Sequence, residues 1–177
     1  MNHDRYDDTY IAAVLNDVKT VAMIGASANS VRPSYFVLKY LLAKGYKVIP
    51  VNPGIAGQDL LGQKVAASLD AIDEPVDMVD IFRASDAALE VTRDAIRNKD
   101  RLGINVIWMQ LSVRNDEAAA EAEAAGLRVV MNRCPKIEYG RLSGEIGWTG
   151  VATGVLTSKK PLLGPGVQNQ RILTQKP

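Results

Sequence analysis

Apolar residues follow two different rhythms along this chain. Short, nearly continuous apolar runs fall at 20–25 (T-V-A-M-I-G), 46–51 (Y-K-V-I-P-V), 76–82 (V-D-M-V-D-I-F), 104–110 (I-N-V-I-W-M-Q) and 127–131 (L-R-V-V-M). Runs of this length and β-branched content predict strands buried on both faces, as in a parallel sheet. Between them the apolar positions recur at helical spacing. A helix is expected over 8–18, leading into the first strand. A second is expected over 34–44, with Phe36, Val37, Tyr40, Leu41 and Leu42 apolar and Gly45 as its stop. A third opens at Ser85, read as its cap, with an apolar face of Ala88, Leu89, Thr92, Ala95 and Ile96. A fourth, rich in Ala and Glu, spans 115–125 and ends at Gly126. Residues 58–66 leave room for a short edge strand. Strand and helix alternate, which predicts βαβ units around a parallel sheet in one domain over 1–143. Beyond that the pattern fades, and 144–177, with Pro161, Gly164, Pro165 and Gly166, reads as a C-terminal arm or flexible tail.

Composition narrows the setting. The 177 residues suit one domain, and 47% hydrophobic with 23% charged content is ordinary for a globular protein. No apolar run approaches the about 20 residues a membrane span needs. The acidic, polar start lacks the layout of a signal peptide. Cys134 is the single cysteine, so no intrachain disulfide can form and a reducing, cytoplasmic setting is expected. A net charge of +1 gives no general attraction to nucleic acid or anionic membrane. The charge is uneven, however: from Arg133 onward seven basic residues stand against two acids, either a solvated tail or a lure for an anionic partner.

In open parallel sheets ligands bind at the carboxyl ends of the strands, so the segments leaving those ends carry the chemistry. After the first strand, Gly25 permits a sharp turn, Ser27 and Ser30 offer hydroxyls, and Arg32 offers a fork of donors. A helix opens at Pro33 and Ser34, where free N–H groups favour phosphate. This outlines a phosphate cradle, although it is neither G-x-G-x-x-G nor a P-loop. The second strand ends in Pro50-Val51-Asn52-Pro53 and lacks the acid that nicotinamide and flavin binders use to hold ribose hydroxyls. Arg83 after the third strand could pair with phosphate, and Phe82 could pack against an adenine or pantetheine.

Taken together, V-A-M-I-G-A-S, R-P-S, G-Y-K-V-I-P-V-N-P, V-D-M-V-D-I-F-R, V-I-W-M-Q-L and V-V-M-N-R-C-P-K-I-E, in order over roughly 10–140, resemble the small bacterial and archaeal CoA-binding proteins. Those are similar to the N-terminal CoA-binding domain of the succinyl-CoA synthetase α subunit. The resemblance implies a Rossmann-like α/β fold, a doubly wound parallel sheet in three αβα layers, with coenzyme A across the strand ends. It implies ligand contacts from Gly25, Ala26, Ser27, Arg32, Ser34, Val51, Asn52, Pro53, Phe82, Arg83 and Gln110. The family often carries Asp where this chain has Asn132.

Catalysis has little to stand on. The one histidine, His3, lies at the chain start, so a phosphohistidine relay is not expected in the site. One His and one Cys do not make a zinc site. Asp77 and Asp80 alternate with apolar residues of one strand and read as solvent-side or helix-capping groups. The expected function is binding of CoA or an acyl-CoA as a module or regulator, with room for a protein partner. A nicotinamide-dependent oxidoreductase and an adaptor with a vestigial pocket remain as alternatives. Cys134, between Arg133 and Lys136 on the same rim, is expected either to be activated by those cations or to be buried and inert.

Overall fold

The computed structural model describes residues 1–145, so the arm expected over 144–177 lies outside the described residues except for Gly144 and Glu145. Five parallel strands form one sheet: β1 (Thr20–Ile24), β2 (Lys47–Val51), β5 (Met78–Ile81), β6 (Val106–Met109) and β7 (Arg128–Val130). Their order is β2-β1-β5-β6-β7. Residues 58–66 form a small hairpin in place of a single edge strand, with β3 (Asp59–Leu60) antiparallel to β4 (Gln63–Lys64). Val51 bridges to Ala66, which ties the hairpin to the end of β2.

Helices cover both faces. On one lie α1 (Asp8–Asp17), α2 (Pro33–Ala43) and α5 (Pro135–Leu142); on the other lie α3 (Ser85–Leu102) and α4 (Asp116–Ala124). Each face has its own core. Val21, Met23, Val48, Met78, Val106, Trp108 and Val130 point to the first, against Ile11, Leu15, Leu38, Leu41 and Tyr139. Ala22, Ile49, Val79, Ile81, Ile107 and Val129 point to the second, against Ala88, Ala95, Ala118 and Ala122. The Rossmann-like, doubly wound αβα sandwich is thus the architecture of the chain.

Burial on both faces corrects one expectation. Alternation implies a wet face only where a sheet has one, and this sheet has none at its centre. Asp80 of β5 is fully buried. Asp77, just before β5, accepts the backbone N–H groups of Lys19 and Thr20, each at 2.8 Å, and pins the entry to β1. Ser85 departs from its expected role too. The N-cap of α3 is Ala84, without a side-chain bond, while the Ser85 hydroxyl accepts the Arg114 N–H at 3.0 Å and ties two strand-end loops together. The helix α5 has no expected counterpart; its only strong sequence signal is Pro135 at the first position, where a missing N–H costs nothing.

The topology fixes where a ligand can sit. From β1 the chain turns one way to β2, then crosses back to β5 on the other side of β1. The connections leaving β1 and β5 therefore diverge, and a crevice opens between their carboxyl ends.

Candidate functional site

Gly25 closes the bottom of that crevice. Its φ is +87°, and a Cβ there would lie 2.8 Å from the Phe82 carbonyl oxygen and 3.2 Å from Cδ of Arg83. Only glycine lets the ends of β1 and β5 come this close. The loop that follows is knitted locally: Ser27 Oγ accepts the Asn29 N–H at 3.2 Å, and Asn29 Oδ1 accepts the Val31 N–H at 3.0 Å. Arg32 is the N-cap of α2 in extended conformation, without a side-chain cap bond.

A cleft of about 870 Å³ opens above this floor. Of the residues expected from the sequence, Gly25, Ala26, Ser27, Arg32, Ser34, Asn52, Phe82, Arg83 and Gln110 line it. Val51 and Pro53 instead line an adjoining pocket of about 140 Å³, which shares Gly25, Asn52 and Arg83 with the cleft. The two lie side by side, with Gly25, Asn52 and Arg83 between them.

Its electrostatics favour an anion. Among the described residues the guanidinium groups of Arg32 and Arg83 have no ion pair or hydrogen bond, whereas Arg93, Arg114, Arg128 and Arg141 are each paired with carboxylates. The helices α2, α3 and α5 all begin on the cleft, with N-caps Arg32, Ala84 and Cys134 that make no side-chain cap bond. By contrast α4 starts away from it and is capped, Asn115 Oδ1 accepting the Ala118 N–H at 2.9 Å. Three uncapped helix starts and two unpartnered arginines thus line one cleft, an arrangement that favours negative charge.

Asn52 lines the cleft but spends its amide on the protein. Its Nδ2 donates to the Ala26 carbonyl at 2.7 Å and its Oδ1 accepts the Gly54 N–H at 2.9 Å. It shapes the loop, and it carries no carboxylate for a ribose. Asn132 has a comparable role: at φ +53° it accepts the Ser112 N–H on Oδ1 at 2.8 Å, a bond that a carboxylate oxygen could equally accept.

Beneath the cleft, Gln110 Nε2 donates to both oxygens of Asp80. Burial pushes the Asp80 carboxyl up to about 8, with the Gln110 bonds pulling the other way. Cys134 lines the same wall and is buried. Burial raises its thiol pKa, outweighing the N–H groups of Ile137 and Lys136. Of the two expectations for this cysteine the structure favours the buried one: desolvation is the largest influence on the thiol, and Arg133 lies over the Tyr6 ring and near Glu138. His3 lies outside the cleft, packed on Tyr6 near Glu123 of α4.

The sequence reading missed the rim. Val31, Phe36, Leu111 and Ile137 line the cleft, yet each is exposed; Val31 is 74% accessible. Phe36 reads as core by spacing, but it stands exposed in the first turn of α2, while Val37 and Leu41 face inward. No periodic signal marks Ile137, because α5 is only eight residues long.

Residues 19–140 match the family model for the CoA binding domain. The chain belongs to that family. The chain is 33% identical over 129 residues to the uncharacterized protein YneT of Bacillus subtilis, covering 73% of this chain and 91% of YneT. A solved hypothetical protein from Pyrococcus horikoshii shares 36% identity and superposes with a TM-score of 0.72, over 80% of this chain and 96% of that one. A dinucleotide-forming acetyl-coenzyme A synthetase from Ca. Korarchaeum cryptofilum is 27% identical with a TM-score of 0.54. That match takes in 64% of this chain but only 26% of the synthetase, so the likeness is to one part of a larger enzyme. No helix among the described residues is long and apolar enough to cross a membrane.

Proposed function

We propose that this chain binds coenzyme A or an acyl-CoA across the carboxyl ends of β1, β2, β5 and β6, and serves as a binding module without chemistry of its own. The observation that carries this reading is the pairing of Arg32 and Arg83, both unpartnered among the described residues, with uncapped helix starts on one cleft in a member of the CoA-binding domain family. Phosphates of the ligand would rest on Gly25, Ala26 and Ser27 and on the first turn of α2, within reach of the two guanidinium groups. The base would enter the smaller pocket beside Val51, Asn52 and Pro53. Phe82 and Gln110 would flank the pantetheine arm.

The nicotinamide alternative has less support. The position that would hold ribose hydroxyls is Asn52, whose amide is already engaged at both ends. A phosphohistidine relay has no residue to use in the cleft, since the single histidine lies elsewhere. The reading is tested by mass spectrometry of small molecules released from freshly purified protein. Coenzyme A or one of its thioesters is the expected species. A nicotinamide dinucleotide in its place would favour the redox reading.

A further inference from the structure

The exposed apolar rim asks for an occupant. Among the described residues the large hydrophobics standing in water are Met1, Val31, Phe36, Leu111 and Ile137, and all but Met1 line one cleft. Single exposed apolar residues are unremarkable, but a cluster at the mouth of a ligand cleft marks a surface that something covers. The four come from separate places: the loop after β1, the first turn of α2, the loop after β6 and the first turn of α5. Val113, Val37 and the raised-pKa, neutral thiol of Cys134 continue the apolar lining inward.

This apolar lobe lies away from the small pocket. Val51 and Pro53 line the small pocket only, Leu111 and Ile137 line the cleft only, and Gly25, Asn52 and Arg83 join the two. A ligand with its base at Val51 and Pro53 and its phosphates over Gly25 and Arg83 therefore directs its far end into the lobe of Leu111, Ile137 and Phe36. In coenzyme A that end is a thiol on a polar amide arm, which has little use for such a surface. In a thioester it is an acyl chain.

Resting on the CoA reading above, we propose that the physiological ligand is an acyl-CoA with an apolar chain of several carbons, and that Val31, Phe36, Leu111 and Ile137 bind that chain. Each methylene removed from water strengthens binding. On an open rim that covers the chain partially, an eight-carbon chain is expected to bind about 10-fold or more tighter than free CoA.

The experiment is calorimetric titration of CoA, acetyl-CoA and octanoyl-CoA into the full chain, repeated with the double variant Phe36→Ser/Ile137→Ser. Both side chains are exposed, so the fold has little to lose. The expected result is affinity that rises with chain length in the wild type, and an octanoyl-to-free-CoA ratio that falls toward one in the variant. Equal affinities for CoA and octanoyl-CoA would overturn the proposal while leaving CoA binding intact. That is also the outcome if a second copy already covers the rim. A preference for octanoyl-CoA that survives in the variant would overturn the rim assignment. If none of the three binds, the CoA reading itself fails.

Discussion

Gln110 holds Asp80 with its side-chain amide, Nε2 lying 2.9 Å from one carboxyl oxygen and 3.1 Å from the other, directly under the cleft. Gln110 also lines the cleft, so a fully buried acid fixes the orientation of a residue placed to meet the ligand.

This buried acid makes stability depend on pH. Burial lifts its pKa to about 8, above the ordinary carboxylate range in which the unfolded chain loses the proton. The folded state therefore binds more protons between those values, and stability falls as pH rises through that window. The contribution is fully present below the ordinary range and lost above about 8. Asp80→Asn removes this component. Urea midpoints at pH 5 and pH 8 should show the variant gaining on the wild type at the higher pH. An equal difference at both pH values would mean that Asp80 titrates normally.

Gly25→Ala should damage both fold and site. The substitution places a Cβ 2.8 Å from the Phe82 carbonyl oxygen at a φ that disfavours any side chain. A positive φ alone costs about 1–2 kcal/mol, and the clash adds to it. A drop in Tm accompanied by lost CoA binding is expected. A variant with unchanged Tm would contradict the close approach of β1 and β5.

Much of this was legible in the sequence, and the misses share a cause. Strand runs, glycine stops and the loop residues at the crevice carry local signals, which is why Gly25, Arg32 and Arg83 could be named. Asp80, Phe36 and Ile137 do not, because their surroundings come from distant segments. Asp80 lies between Val79 and Ile81 and so turns to the same face as Met78, whose cover comes from helices remote in sequence, and the eight residues of α5 are too few to show a period. For Cys134 the sequence leaves activation by its basic neighbours and inert burial both open, because burial depends on segments distant in the chain; in the structure burial raises its thiol pKa.

Arg32→Ala and Arg83→Ala should each weaken CoA binding by about 1–3 kcal/mol, as for other hydrogen bonds to charged groups. Neither guanidinium has a partner among the described residues, so Tm should barely change. A large Tm loss in either variant, or unchanged affinity in both, would contradict the assignment.

Cys134 should be slow to react in the folded protein. Its thiol is buried and its pKa is raised, so little thiolate is present near neutral pH. Exposure to oxidised CoA followed by intact-mass analysis should show no adduct at pH 7 until the chain is denatured. Rapid, reversible addition to the native protein would show an activated thiol.

The most direct test is calorimetric titration of CoA and of NADH, separately, into purified protein. Binding of CoA in the micromolar range, about −8 kcal/mol, is predicted, with NADH far weaker because the end of β2 presents Asn52, whose amide is already bonded at both ends, in place of an acid. NADH binding as tightly as CoA, or no binding of CoA, would contradict it.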